Sequence, residues 1–299
     1  MVLFLLLARG LAVGTLLLAF GGAVFAAGVL PRALAKGPAE LAAPLTRRGR
    51  GLVALSLAVA LLASPCWAAA QAGVLLAQMQ PGGAPWGETL VRLPEILLET
   101  RFGEVALFGA AFCGLALLAL WRSRLWLAAL LAGVAVASHA GHLHGYAMQG
   151  AGPLAAVEAL HLLAAGAWLG GLAGLLWLVA GAPPGVAATA CRWFSPLGKL
   201  CVGGMAASAL CMGGVLTGSL RDLVVTDYGR LVAVKIALFG VLLGFAGINR
   251  YRLAPALGIS GRGRRALYVS LALQLGAGLL AVGCAVVLSG LEPTMAMSG

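Results

Sequence analysis

Apolar residues in this sequence fall in repeated blocks of roughly 18 to 27 residues separated by short polar stretches. At ~1.5 Å per helical residue, each block reaches across a hydrocarbon core of about 30 Å. A backbone in hydrocarbon must satisfy its own hydrogen bonds, so blocks of this length fold as membrane-spanning helices. Composition points the same way. Of the 299 residues, 62% are apolar and only 10% are Asp, Glu, Lys or Arg, against about a quarter charged in a soluble domain. The chain is expected to be all-α, a polytopic helical bundle forming a single integral-membrane domain over residues 1–299.

Eight spans are expected, at about 2–30, 51–77, 104–121, 124–140, 154–180, 194–218, 229–249 and 266–289. The net charge of +11 would suggest a nucleic-acid partner in another chain. Here the twenty Lys and Arg lie mostly between blocks, where they set orientation in the bilayer, and no basic-aromatic surface for nucleic acid is present. Segment 31–50 holds Arg32, Lys36, Arg47, Arg48 and Arg50 against Glu40, and segment 249–265 holds five arginines and no acid. Both belong in the cytoplasm, and Arg122, Arg124, Arg192 and Lys199 fall on the same side. An even count then places both termini on the outer, periplasmic side. The N-terminus has no basic residue ahead of its apolar run and Arg9 within it, which is the layout of a first span and not of a cleaved signal peptide.

Within the long outer segment 78–103, Trp86, Leu90, Leu93, Ile96 and Leu97 alternate with charges, the pattern of a short interfacial helix, here expected to break at Pro94. Gly166, Gly170 and Gly174, like Ala129, Gly133 and Ala137, recur every four residues, which lets helix backbones approach closely in lipid. The six cysteines lie in spans or, for Cys191, in a basic loop, with no CxxC pair, so no disulfide framework is expected. No internal repeat is evident.

All four histidines fall within 23 residues. His139, His142 and His144 end the fourth span, and His161 lies in the outer part of the fifth. Counting ~1.5 Å per residue from Arg124 and from Leu154 puts His139 about 22 Å from the inner face and His161 about 10 Å below the outer one. Those depths nearly coincide, and facing helices that present imidazoles at one level are how bundles build metal and haem sites. Glu158 stands three residues before His161, and a carboxylate and imidazole inside a membrane ordinarily mark a site or a pathway. Imidazole with carboxylate suits Cu(II), Zn or haem iron. Met148, Met295 and Met297 add thioethers on the outer side as possible capture ligands. Cys201, Met205 and Met212 form one stripe of the sixth span, and Cys66 follows Ser64-Pro65 within the second. Thiols and thioethers favour Cu(I), so these four are a possible translocation path. Arg9, Arg230 and Lys235 sit within spans on the histidine side, placed to snorkel or to pair with Glu104, Glu158 or Asp227.

Several stretches, in order, resemble a known family. They are Ser138-His139-Ala140-Gly141-His142, Glu158-Ala159-Leu160-His161-Leu162-Leu163 through Trp168-Leu169-Gly170-Gly171-Leu172, Phe194-Ser195-Pro196, and Thr226-Asp227-Tyr228-Gly229-Arg230 with Val234-Lys235, Asn249-Arg250 and Pro255. Glu99-Thr100-Arg101-Phe102-Gly103 is a weaker echo. Over residues 138–255 the chain resembles the copper resistance protein D (CopD/PcoD) family. The resemblance implies an eight-helix protein of the bacterial inner membrane. It would handle copper with a periplasmic CopC-like copper-binding protein, passing the metal towards the cytoplasm, with His142 and His161 as ligands. The chain departs from the pattern in Glu158 for the usual Asp, in Trp193 between Arg192 and Phe194, and in Gln274 for an expected acid; no CopC-like domain is fused.

The leading expectation is therefore a copper-binding or transport protein, not an enzyme, with an outer-facing site of His139, His142, His161 and Glu158 and with His144 and Met148 at its mouth. The alternative is a cytochrome-b-like redox protein in which His161 and either His139 or His142 hold haem b. A zinc hydrolase using the same histidines, with Glu158 acting on a bound water, is a third possibility.

Overall fold

The computed structural model describes residues 2–79, 86–142, 152–216, 221–258 and 261–291. Nine long helices carry these residues: α1 (Val2–Leu34), α2 (Ala39–Met79), α3 (Trp86–Glu99), α4 (Arg101–Trp121), α5 (Leu125–Ser138, continued by a 3₁₀ turn His139–His142), α6 (Gly152–Gly181), α7 (Pro184–Leu216), α8 (Asp227–Leu253) and α9 (Gly261–Leu288). All but α3 are long and apolar enough to cross a membrane, eight spans in all. Two begin well before the expected residue. The arginines at 47, 48 and 50 lie on α2, and Cys191, expected in a loop, lies on α7. Charge bounds where a span can enter hydrocarbon, but it does not end a helix. The amphipathic helix α3 is also unbroken, with Pro94 inside it. It packs Leu93 and Ile96 against Ala72 and Leu76 of α2.

Local irregularities have identifiable causes. Pro31 has no N–H to donate and its ring crowds the preceding turn, and just ahead of it α1 widens into a π turn over Phe25–Val29. Pro65 leaves α2 continuous; Ser64 Oγ donates to the Ala60 carbonyl at 2.7 Å beside it. Between α4 and α5 the chain reverses in three residues. The Ser123 N–H bonds the Leu120 carbonyl, the Arg124 N–H bonds the Ala119 carbonyl at 2.9 Å, and Ser123 takes φ 61°. This is a Schellman turn with serine where glycine is usual.

The bundle consists of two groups of four spans. In the first, α1 packs on α2 and α5, and α4 packs on the same two helices. In the second, α6 packs on α7 and α9, and α8 on α9. The groups meet where α1 crosses α6. A methyl at Gly21 would strike the Gly166 carbonyl, and one at Gly170 would strike the backbone of Gly21 and Gly22, so the α6 glycine stripe is the seam between them. Ala129 and Gly133 of α5 are buried beside α1, with Phe20 against Gly133.

The third span of each group opens alike. Thr100 caps α4 by accepting from the Gly103 N–H at 3.2 Å, and Thr226 caps α8 by accepting from the Gly229 N–H at 3.0 Å. An aromatic residue lies between in both, Phe102 and Tyr228. Each opening carries an (i, i+3) ion pair of reversed polarity, Arg101–Glu104 at 3.1 Å and Asp227–Arg230 at 3.4 Å. The two groups thus share a plan that the sequence analysis did not detect, because only these few positions retain it.

The ends of the bundle differ in charge. At the basic end, arginines meet helix C-termini, where unpaired carbonyls and the helix dipole favour cations. Arg50 Nη2 donates to the Leu120 carbonyl at 2.9 Å, and Arg264 donates to those of Val179 and Ala180 at 2.7 and 2.9 Å. Arg32 donates to the Gly28 carbonyl and lies 5.0 Å from the centroid of the Trp193 ring. A buried polar contact joins α8 to α9: Gln274 Oε1 accepts from Asn249 Nδ2 at 3.0 Å, and its Nε2 donates to the Leu242 carbonyl at 3.1 Å.

Candidate functional site

The opposite end holds the histidines. Helix α5 tightens into a 3₁₀ turn over His139–His142. With three residues per turn, side chains at i and i+3 eclipse, so His139 and His142 project together. Two glycines make room. Gly109 of α4 lies against the Ser138 hydroxyl and the His139 ring, and Gly141 lies against Val105. Both imidazoles turn towards Trp67 of α2, which is 3% exposed. The Trp67 ring stacks on His139 at 5.7 Å and meets His142 edge-on at 4.9 Å, while Phe102 of α4 lies 5.1 Å from His142. The two imidazole centroids are 5.6 Å apart at 76°.

The ring nitrogens are in different states. His139 Nδ1 donates to the Ala135 carbonyl at 2.9 Å, a bond that requires hydrogen on Nδ1 and leaves the Nε2 lone pair free. Among the described residues, both ring nitrogens of His142 are buried with no hydrogen-bond partner, and so is Trp67 Nε1. Unsatisfied buried polar atoms are rare in folded proteins, and three converge here. Arg9 of α1 completes the group with its guanidinium carbon 5.5 Å from the Trp67 centroid. The sequence expectation had Arg9 snorkelling to the outer interface or pairing with Glu104, Glu158 or Asp227. Among the described residues it meets an aromatic face instead, because Glu104 pairs with Arg101 and Asp227 with Arg230.

His161, on α6, bonds across to α7. Its Nδ1 lies 2.9 Å from the Ser208 hydroxyl of α7, which itself donates to the Gly204 and Met205 carbonyls. The hydroxyl hydrogen is thus in use, and His161 is the donor to Ser208. Ser208 lies on the α7 stripe of Cys201, Met205 and Met212. Cys201 and Met205 are buried, at 5% and 6% exposed, so His161 stands directly over this stripe. Lys235 of α8 lies within electrostatic reach of both Glu158 and His161, as Glu158 does of Tyr228.

Among the described residues, no three His, Cys, Asp or Glu side chains come close enough together to hold a metal ion. Cys66 is exposed on α2, in a groove lined also by Phe4 and Trp86. All six cysteines are free thiols. His144, Met148, Met295 and Met297 lie outside the described residues.

Trp67, Phe102 and Ser208 escaped the sequence analysis. Phe102 lay within the weaker echo before the third span, and the other two carry no signal that separates them from ordinary helix residues.

Comparison with known proteins gives consistent results. The family described as copper resistance protein D matches residues 188–288, and the one described as copper resistance protein D-like, N-terminal domain, matches residues 1–154. The chain is 28% identical over 246 residues to copper resistance protein D of Pseudomonas syringae pv. tomato, covering 74% of this chain and 78% of that protein. It is 35% identical over 103 residues to inner membrane protein YebZ of Escherichia coli (strain K12), covering 33% of this chain and 35% of that one. No solved structure matches the chain.

Proposed function

On the premise that the chain belongs to the copper resistance protein D family, we propose that it is an inner-membrane copper carrier that takes up metal on its periplasmic side and passes it inward. The observation that carries the reading is the His139–His142 pair, in which both ring nitrogens of His142 lack a hydrogen-bond partner among the described residues and His139 is held through Nδ1 on the Ala135 carbonyl. Imidazole nitrogen is a good ligand for copper, and in a membrane such groups seldom persist without a role. The clustering of arginines at the other end supports an orientation with that end in the cytoplasm, both termini in the periplasm and the pair facing outward.

A second contact extends the route. His161 touches the stripe that carries Met205 and Cys201, soft ligands that suit Cu(I). Copper leaving the pair would pass His161 with Glu158 near it and then descend this stripe by ligand exchange. A periplasmic CopC-like copper-binding protein is the natural donor to the outer face, by the family resemblance.

The test is copper accumulation in cells expressing the full chain. Wild type is expected to raise cellular copper, His142→Leu to abolish the gain, and Cys201→Ala with Met205→Ala to reduce it at least several-fold. Unchanged accumulation in the double variant contradicts the stripe as a path, and unchanged accumulation in His142→Leu contradicts the pair as the point of uptake.

A further inference from the structure

The surroundings of the His139–His142 pair discriminate between the two oxidation states of copper. Resting on the copper reading above, we infer that the pair accepts the ion as Cu(I) and rejects Cu(II), with Arg9 as the element that excludes the dication.

Three observations converge. The first is donor number. His139 Nδ1 is committed to the Ala135 carbonyl, so His139 and His142 can each offer one nitrogen to a shared ion, and among the described residues no third His, Cys, Asp or Glu joins them. Cu(II) favours a tetragonal set of nitrogen and oxygen donors. A d¹⁰ monocation has no such requirement and is content with two opposed imidazoles. The two rings stand close, with centroids 5.6 Å apart, so one ion can be shared between them.

The second is charge. Arg9 lies over the Trp67 ring against which both imidazoles pack, and among the described residues no carboxylate forms an ion pair with it. Repulsion from a fixed cation doubles between a monovalent and a divalent ion, and the cost of desolvation rises about fourfold, with the square of the charge. A site intended for Cu(II) would place an anion here. Glu104 of α4 instead faces Arg101.

The third is the wall. Trp67 and Phe102 present aromatic rings to the imidazoles, an apolar lining that strips water from the ion. An aromatic face attracts a desolvated cation, but it cannot replace the four or more polar ligands that a hydrated dication would surrender. Copper would therefore arrive and leave as Cu(I), with no change of oxidation state at the pair.

The experiment uses the full chain purified in detergent, with three probes: Ag(I) as a redox-inert monocation, Cu(I) under anaerobic conditions against a cuprous chelator, and Cu(II) followed by electron paramagnetic resonance. One equivalent of Ag(I) or Cu(I) should quench tryptophan emission. Trp67→Phe should remove that change while retaining the metal, which isolates one of the seven tryptophans. Cu(II) should leave no nitrogen-coupled signal on wild type, and Arg9→Gln should increase its retention tenfold or more. His142 makes no hydrogen bond through its ring, so His142→Leu serves as a folded control that should bind neither ion.

A nitrogen-coupled Cu(II) signal on wild type that His142→Leu removes would overturn the cuprous inference while leaving copper at the pair. Absence of all three ions from the pair would overturn both readings. Quenching that persists in Trp67→Phe would show that the monocation binds elsewhere, and it too would overturn the inference.

Discussion

Two histidines of similar sequence context differ in what they contribute to folding. The ring nitrogens of His142 have no partner, so replacing it with a residue of similar bulk removes no hydrogen bond. His142→Leu should change stability by less than about 1 kcal/mol or raise it, since swapping an unsatisfied polar group for an apolar one is close to neutral. His161 donates to Ser208, and Ser208→Ala would leave that donor buried and unpaired, costing about 1–3 kcal/mol. Thermal unfolding in detergent checks both: the first variant should melt near wild type and the second clearly below it. Equal losses would contradict the assignment of His142 as a ligand kept free of the fold. None of this could be derived from the sequence, because His139, His142 and His161 share one depth by residue counting. What separates them is a 3₁₀ turn and a serine 47 residues away, and neither leaves a periodic signal.

At the scale of helices, the sequence was most legible where a single force dominates. Apolar length specified eight spans because hydrocarbon allows so few alternatives. The Gly166, Gly170 and Gly174 stripe marked a close packing face because only small residues permit backbone contact, and Gly21 and Gly22 of α1 meet it. Gly170→Val should therefore prevent α1 from seating on α6 and reduce the yield of folded protein several-fold, measured by detergent size-exclusion profile. A profile like wild type would contradict the seam.

The α4–α5 turn was legible only as short and basic. Ser123 holds a left-handed conformation there, at a cost of roughly 1–2 kcal/mol for a residue with a Cβ. Ser123→Gly should recover part of that, about 1 kcal/mol, as a higher melting temperature. Helix boundaries were the least legible. Arginines and prolines mark where a span meets the headgroups, yet α2 and α7 continue through them as helix into water.

At the scale of the whole molecule, charge divides the bundle into an end where arginines cap helix C-termini and an end where aromatic rings surround two histidines. A reporter active only in the periplasm, fused after Gly299, should be active, and one that fluoresces only in the cytoplasm should be dark. The reverse pattern would turn the site inward and contradict uptake from outside. Of the histidines, His139 and His142 belong to the first group, and His161, bonded to Ser208, belongs to the second. Sequence spacing suggested one centre because the α5–α6 connection is short, but that connection is also the boundary between groups.

The central claim is that copper is held at the His139–His142 pair. Its most direct test is elemental analysis of the protein purified in detergent from copper-supplemented cells, comparing wild type with His142→Leu and with Ser208→Ala. The account predicts near-stoichiometric copper in wild type and in Ser208→Ala, and its loss in His142→Leu. Copper retained in His142→Leu, or iron in its place in wild type, would contradict it.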